Sequence, residues 1–351
     1  MKKTFFLLGF LSSSAFAIPV AELVPAAQLP TIEAELTTAP NVPKPLERTT
    51  PAKVVVKLES LEKIMPIDKD VQFKYWTFNG STPAPFIRVR EGDMVEVQLS
   101  NPINGKMEHA IDFHSAAAPD GGAEASLTAP GKSTTFAFRA MTPGLYVYHC
   151  GAAPVGVHLG KGMFGLMLVE PKEGLPKVDK EFYIMQNEFY VKDGANPNLK
   201  VFDMMKADYE LPDYVVFNGK VGALTEQNAL KAKVGENVRF FVGNAGPNKI
   251  SSFHLIGRTF DTVYVEGGTL QNHNVQTTLI PAGGTTIVEM EMQVPGKYTF
   301  LDHSLFRAEK GAKGQLIVEG EGNLEIYQGK IKEEPFDKRN PDADVNAGFT
   351  H

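Results

Sequence analysis

"VREGDMVEVQLSNP", residues 89–102, alternates apolar Val95, Val97 and Leu99 with polar Glu96, Gln98 and Ser100 between a Gly-Asp turn and an Asn-Pro stop. A period of two is the pattern of a strand with one face in a core and the other toward water. A second copy decides the architecture: "KVGENVRFFVGNAGP", residues 233–247, repeats the order of turn, strand and stop. The neighbours repeat as well. "IDFH" ending at His114 matches "SSFH" ending at His254, and "GKSTTFAF" matches "AGGTTIVEM". "TPGLYVYHC" matches "VPGKYTFLDHS", and "GMFGLMLVEP" matches "GAKGQLIVEG". Each pair alone is weak, but all keep their order at a shift of about 140 to 154 residues, which signals an internal duplication.

The repeat predicts an all-β chain of two tandem antiparallel β-sandwich domains, residues 51–172 and 181–320, joined by "PKEGLPKVDK". Residues 18–50 are rich in Pro, Ala and Thr and predict an extended N-terminal arm, while 321–351 predict a polar C-terminal tail on the surface. The most helix-like stretch, around Phe202 to Tyr209, is short.

The chain has 351 residues, enough for two cores, and a formal net charge of -6. No basic run interleaved with aromatics occurs, so nucleic acid is not expected as a partner. "MKKTFFLLGFLSSSAFA", residues 1–17, has two lysines, a short apolar run and an Ala-Phe-Ala cleavage site, the form of a cleaved signal peptide. No stretch is long enough to span a membrane, and no cysteine lies near the cleavage site to carry a lipoprotein anchor. The expectation is an exported, periplasmic protein.

Export makes disulfides the default use of cysteine, yet Cys150 is the only one. It is followed by His158 and Met163 in a C-x7-H-x4-M spacing. Thiolate, imidazole and thioether on one loop form a soft donor set. With one more histidine, for which His109 is the natural choice, this is the His2Cys site with a weak axial Met that suits an electron-transfer copper. A buried cysteine with chance neighbours is the competing interpretation, and the clustering of three soft donors speaks against it.

In "HAIDFH", residues 109–114, His109 and His114 have opposite strand parity, as do adjacent His149 and Cys150. His109 then sorts with Cys150, and His114 with His149, on opposite sides. Two metal sites would be joined by one peptide link. The second site lacks a ligand, and His303, taken as the repeat counterpart of His149, is the best candidate. Three imidazoles with an open position make a catalytic site. Asp112 and His254 are candidates for proton transfer. In the duplication Cys150 is matched to Ser304 and Met163 to Ala312, so the second copy lacks the soft ligands. His273 and His351 are expected at the surface.

These residues resemble the copper-containing nitrite reductases, the Neisseria-type enzymes in particular, through "YWTFNG", "PGLYVYHC", "EGLPKVDKEFYI", "YVVFNG", "VGALT", "SSFHLIG" and "VYVEGG". The resemblance covers nearly the whole chain after residue 17. It implies two cupredoxin-like Greek-key domains per subunit, a homotrimer, and two coppers per subunit. It also implies a type 1 copper on His109, Cys150, His158 and Met163. A type 2 copper would bind His114, His149 and, from the neighbouring subunit, His303. Asp112 would be the catalytic acid, His254 its relay partner, and Ile256 the aliphatic residue over bound nitrite. The implied reaction is one-electron reduction of nitrite to nitric oxide, fed by a small electron donor, a cupredoxin or a cytochrome c. Where the family has H-N-V-D-F-H, this chain has Ala110 and Ile111, with each functional position kept.

A small multicopper oxidase or laccase would need H-x-H pairs and a histidine after the cysteine, but residue 151 is Gly and no H-x-H occurs. A non-catalytic cupredoxin electron carrier would leave His114, His254 and His303 without a role.

Overall fold

The computed structural model describes residues 18–196 and 198–334. The expected signal peptide, the end of the tail and His351 lie outside the described residues. Four sheets form two sandwiches. In the first, Lys53–Asp68 pairs with Val71–Phe78 and Met94–Asn101, and the latter with Lys132–Arg139. The facing sheet contains Phe86–Arg90, Phe164–Glu170, Gly144–His149 and Asp112–Phe113. The second sandwich repeats this plan. Lys180–Phe189, Asn237–Asn244 and Gly284–Glu291 lie in one sheet; Leu230–Lys233, Lys313–Glu319, Gly296–Asp302 and Ser251–Leu255 lie in the other.

The sheets are mixed rather than purely antiparallel. Lys53–Asp68 runs parallel to Met94–Asn101, and Phe86–Arg90 runs parallel to Phe164–Glu170. The second half has the same pairs, Lys180–Phe189 with Asn237–Asn244 and Leu230–Lys233 with Lys313–Glu319. The cause is the crossing of the chain between sheets: Phe86–Arg90 leaves for the facing sheet, and Met94–Asn101 returns beside the first strand in the same direction.

Alternation was a sound guide to the outer sheet. Along Met94–Asn101, Val95, Val97 and Leu99 point into the core between the sheets. It fails for Phe164–Glu170, which is buried at every position. That strand lies in a middle layer. Its sheet presents Met167 and Val169 to the core of the first sandwich, and Phe164, Leu166 and Leu168 to the second sandwich, against Tyr183, Met185, Phe241 and Ile287. A strand covered on both faces is apolar throughout.

At the rim of this interface Glu181 bridges two buried arginines, at 2.6 Å from Arg88 and 2.7 Å from Arg239. Arg88 also reaches Glu170 at 2.5 Å and Arg239 reaches Glu289. The ion pairs cross from one sandwich to the other.

The arm is more integrated than its composition suggests. Thr31–Glu33 pairs in parallel with the start of Lys53–Asp68, and Leu36–Thr37 pairs with Phe86 and Ile87. Fully buried Asp93 accepts hydrogen bonds from Arg48 and from the backbone amides of Ala52 and Arg90, fixing the arm's end. Another excursion comes from the second half: Val191–Asp193 and Leu199–Phe202 form a hairpin that extends the first sandwich's outer sheet, pairing Leu199 with Gln72. The short helix expected after Phe202 is Met204–Asp208, whose N-cap Asp203 accepts from the Lys206 amide at 3.2 Å.

Candidate metal centres

Cys150 follows the end of Gly144–His149 with its side chain in the first core. Its Sγ lies 3.1 Å from His158 Nδ1 and 3.7 Å from His109 Nδ1. His158 sits on Val155–Gly160, a short helix within what the sequence reads as a loop. His109 is held by paired backbone hydrogen bonds with Thr128. Asn101 braces that bridge, donating to the carbonyls of Met107 and Thr128 at 2.9 Å each. Met163 is fully buried in the same core as Cys150, its carbonyl accepting the Cys150 N–H at 3.0 Å.

Burial shapes the chemistry of these donors. It pulls both His109 and His158 down to about 4, so each imidazole is neutral near pH 7 and keeps a lone pair. Burial pushes the Cys150 thiol up to about 11, an effect offset by the backbone amides of Ala110 and Ala152. A dry thiol facing two neutral Nδ1 atoms, with a thioether nearby, fits a soft transition metal whose charge would deprotonate the sulfur.

His149 points the other way. Its Nδ1 donates to the Cys150 carbonyl at 3.0 Å, which turns Nε2 outward. That atom lies 3.1 Å from His114 Nε2 and 3.6 Å from Asp112 Oδ2. His114 also hydrogen-bonds the Gly283 backbone, in the second sandwich. Its pKa is lowered, first by burial and then by His149, against the opposing pull of Asp112 and Gly283. Two imidazole nitrogens facing each other beside a carboxylate fit a cation between them. Asp112 and His149 line a cleft with Asp120, Glu124, Leu127 and Val155.

The separation of His109 from His114 holds, though not through one continuous strand. Only Asp112–Phe113 is a strand, and His109 takes its direction from the Thr128 bridge. Two glycines fit the chain around Asp112. Gly121, at φ +58°, approaches so closely that a Cβ would lie 1.9 Å from the Asp112 carboxylate. At Gly151 a Cβ would be 2.5 Å from the Ala123 Cβ, so no side chain fits directly after Cys150.

His254, Ile256 and His303 form a separate group on the second sandwich. The rings of His254 and His303 meet edge-to-face at 5.1 Å, and His254 Nδ1 donates to the Gln276 carbonyl at 2.6 Å. Ile256 is 49% exposed. Within the described residues of one chain this group does not join the Asp112, His114 and His149 cluster. His273 is exposed and bonds the Asp261 carbonyl.

The ladder register corrects the repeat correspondence. His149 pairs with Phe164, and Leu301 pairs with Lys313. Gly165 lies against the Tyr148 ring as Gly314 lies against Phe300. Cys150 N donates to Met163 O, and Asp302 N donates to Ala312 O, both at 3.0 Å. The counterparts of His149 and Cys150 are therefore Leu301 and Asp302, and His303 lies two residues further on. By the same ladders His254 occupies the place of Asp112, pairing with Leu301 as Asp112 pairs with His149.

Sequence reading passed over Trp76 and Lys161. The indole packs edge-to-face on His158 at 4.7 Å and His109 at 5.7 Å, and the ammonium lies over its ring at 4.8 Å. The available signal was that Trp76 is the chain's only tryptophan.

Models of the multicopper oxidase family match residues 62–174 and 180–321. A copper-containing nitrite reductase of Neisseria meningitidis serogroup B is 57% identical over 315 residues, 89% of this chain and 80% of that protein. The solved copper nitrite reductase of Nitrosomonas europaea superposes with a TM-score of 0.70 at 35% identity, over 78% of this chain and 96% of that one. A solved multicopper oxidase gives a TM-score of 0.67 at 27% identity, covering 85% of this chain and 97% of its own.

Proposed function

Because the chain belongs to the copper-containing nitrite reductase family, we propose that it reduces nitrite by one electron to nitric oxide, NO2− + e− + 2H+ → NO + H2O. His109, Cys150, His158 and Met163 would hold a copper serving as a one-electron store, and His114, His149 and the partner subunit's His303 would hold a copper offering a Lewis-acid position for substrate. The carrying observation is that consecutive residues, His149 and Cys150, face two different donor sets. Their shared peptide unit is a covalent connection between an electron-entry site and an open site.

Asp112 stands at the mouth of the open site, 3.6 Å from His149 Nε2, placed to pass a proton to a substrate oxygen. His254 has one nitrogen committed to Gln276 and the other free to hold a bridging water as relay partner of Asp112. Ile256 offers an aliphatic surface over nitrite. These roles need the second sandwich of one subunit against the first of another. Exposed Ile256, Leu279, Leu305 and Phe306 beside His303 support a homotrimer closed through that face. A cupredoxin or a cytochrome c would serve as electron donor. The signal-like residues 1–17 support a periplasmic location, and no helix among the described residues is long and apolar enough to cross a membrane.

The multicopper oxidase reading meets a steric objection: the histidine it requires after the cysteine would collide with Ala123. Anaerobic assay of nitric oxide formation from nitrite with an artificial reductant, alongside metal analysis, tests the proposal. Two coppers per subunit with nitric oxide as product are expected. A four-copper protein that reduces oxygen, or a metal-free one, would overturn it.

A further inference from the structure

Trp76 is half-buried, and its ring touches both imidazoles of the cysteine-containing site. The Lys161 ammonium lies 4.8 Å from the indole centroid and 5.2 Å from that of Phe73, cation–π distances to two rings at once. Backbone hydrogen bonds hold this arrangement. Trp76 N–H donates to the Lys161 carbonyl at 2.9 Å, and Lys161 N–H donates to the His158 carbonyl at 3.3 Å, closing the helix that bears this histidine. The neighbouring charges Glu62 and Lys74 pair with each other, and Lys161 makes no ion pair among the described residues. A cation without an ion pair, repelled by Lys74 and attracted by Glu62, is therefore held against the site by the same backbone that places His158.

We propose that Lys161, seated on Trp76, sets the reduction potential of the copper site formed by His109, Cys150, His158 and Met163. The inference rests on the function proposed above. One electron converts copper(II) to copper(I), no proton is transferred, and the positive charge of the site falls by one. A fixed cation nearby repels the oxidised form more strongly and so favours reduction. Partial burial keeps that field from being screened by solvent. Trp76 is the positioning residue: the ammonium lies over its ring, and the same ring packs against both ligand imidazoles.

The test is a redox titration of the copper-loaded full chain, followed through its thiolate-to-copper absorption at mildly acidic pH. Lys161→Met keeps the aliphatic stem and removes the charge. It should lower the reduced-to-oxidised ratio at fixed poise by about threefold to tenfold, tenfold being 59 mV for a one-electron couple. The absorption should stay in place. Lys161→Arg retains a cation that stacks on indole and should restore the potential. Trp76→Leu frees the ammonium toward water and should lower the potential in the same direction as Lys161→Met. An unmoved potential in Lys161→Met overturns the proposal. So does an equal shift in the Met and Arg variants, because packing rather than charge would then be responsible. Absence of the thiolate absorption from the unmodified chain would overturn the proposed function and this inference together. A normal absorption with an unmoved potential would overturn the inference alone.

Discussion

The two sandwiches share their ladders but fill the same place differently. In the first, the residue whose N–H bonds Met163 is Cys150, set between His109 and His158 with no carboxylate in that donor group. In the second, the residue whose N–H bonds Ala312 is Asp302, also fully buried. Asp302 is internally satisfied: it accepts from Gln186, from the amides of Ser252 and Ser304, and from Arg307. One copy holds neutral donors whose lone pairs converge. The other holds a carboxylate whose partners are all protein. A duplicated fold can thus keep its backbone while exchanging a slot that needs a metal for one complete without it.

The sharpest way to break this comparison is Cys150→Ala. Metal analysis and absorption spectra should show complete loss of the thiolate band, nitrite turnover abolished, and the copper of the His114 and His149 site retained. Loss of both coppers would mean that the two donor sets are not independent. Next comes Asp112→Asn, which keeps shape and removes the transferable proton. Turnover should fall by about 10²–10⁴-fold with both coppers in place.

Asp302→Ala addresses the second slot. It strands Arg307 and Gln186 and should destabilise the protein by about 3–5 kcal/mol in denaturant unfolding. The thiolate band should survive in the folded fraction, and its loss would place a metal dependence where the structure has none.

The last effect concerns the copper-free chain. His109 and His158 titrate near 4 when folded and near their ordinary 6.5 when unfolded. Between these values the unfolded state binds protons that the folded state refuses. Stability should therefore fall as pH drops from 6.5 to 4 and level off below. Hydrogen exchange should register the loss in the first sandwich, while the Asp302 network of the second stays protected.

Much of this was legible in the sequence for definite reasons. Strand parity separates His149 from Cys150 because adjacent side chains on a strand must face opposite ways, and the structure places them so. The alternation of Val95, Val97 and Leu99 likewise marks a one-sided strand. Parity said nothing of the Thr128 bridge that aims His109, because that contact joins distant parts of the chain. Matching His303 to His149 misled by two residues. A His beside a small residue is conspicuous in the sequence, whereas the ladder is set by Gly165 and Gly314 under their aromatic rings. Lys161 was equally hidden: a lysine on a loop looks solvated until Trp76 and Phe73 are folded beneath it.

The middle layer makes the duplication inseparable in practice. Cutting at the linker would leave the first half with Phe86, Leu145, Val147, Phe164, Leu166 and Leu168 on one open, continuous sheet face. Such a face invites self-association, so a fragment carrying the complete Cys150 donor set should precipitate rather than serve as a miniature electron carrier. The second half is thus a permanent shield for the first, in addition to whatever its histidines contribute.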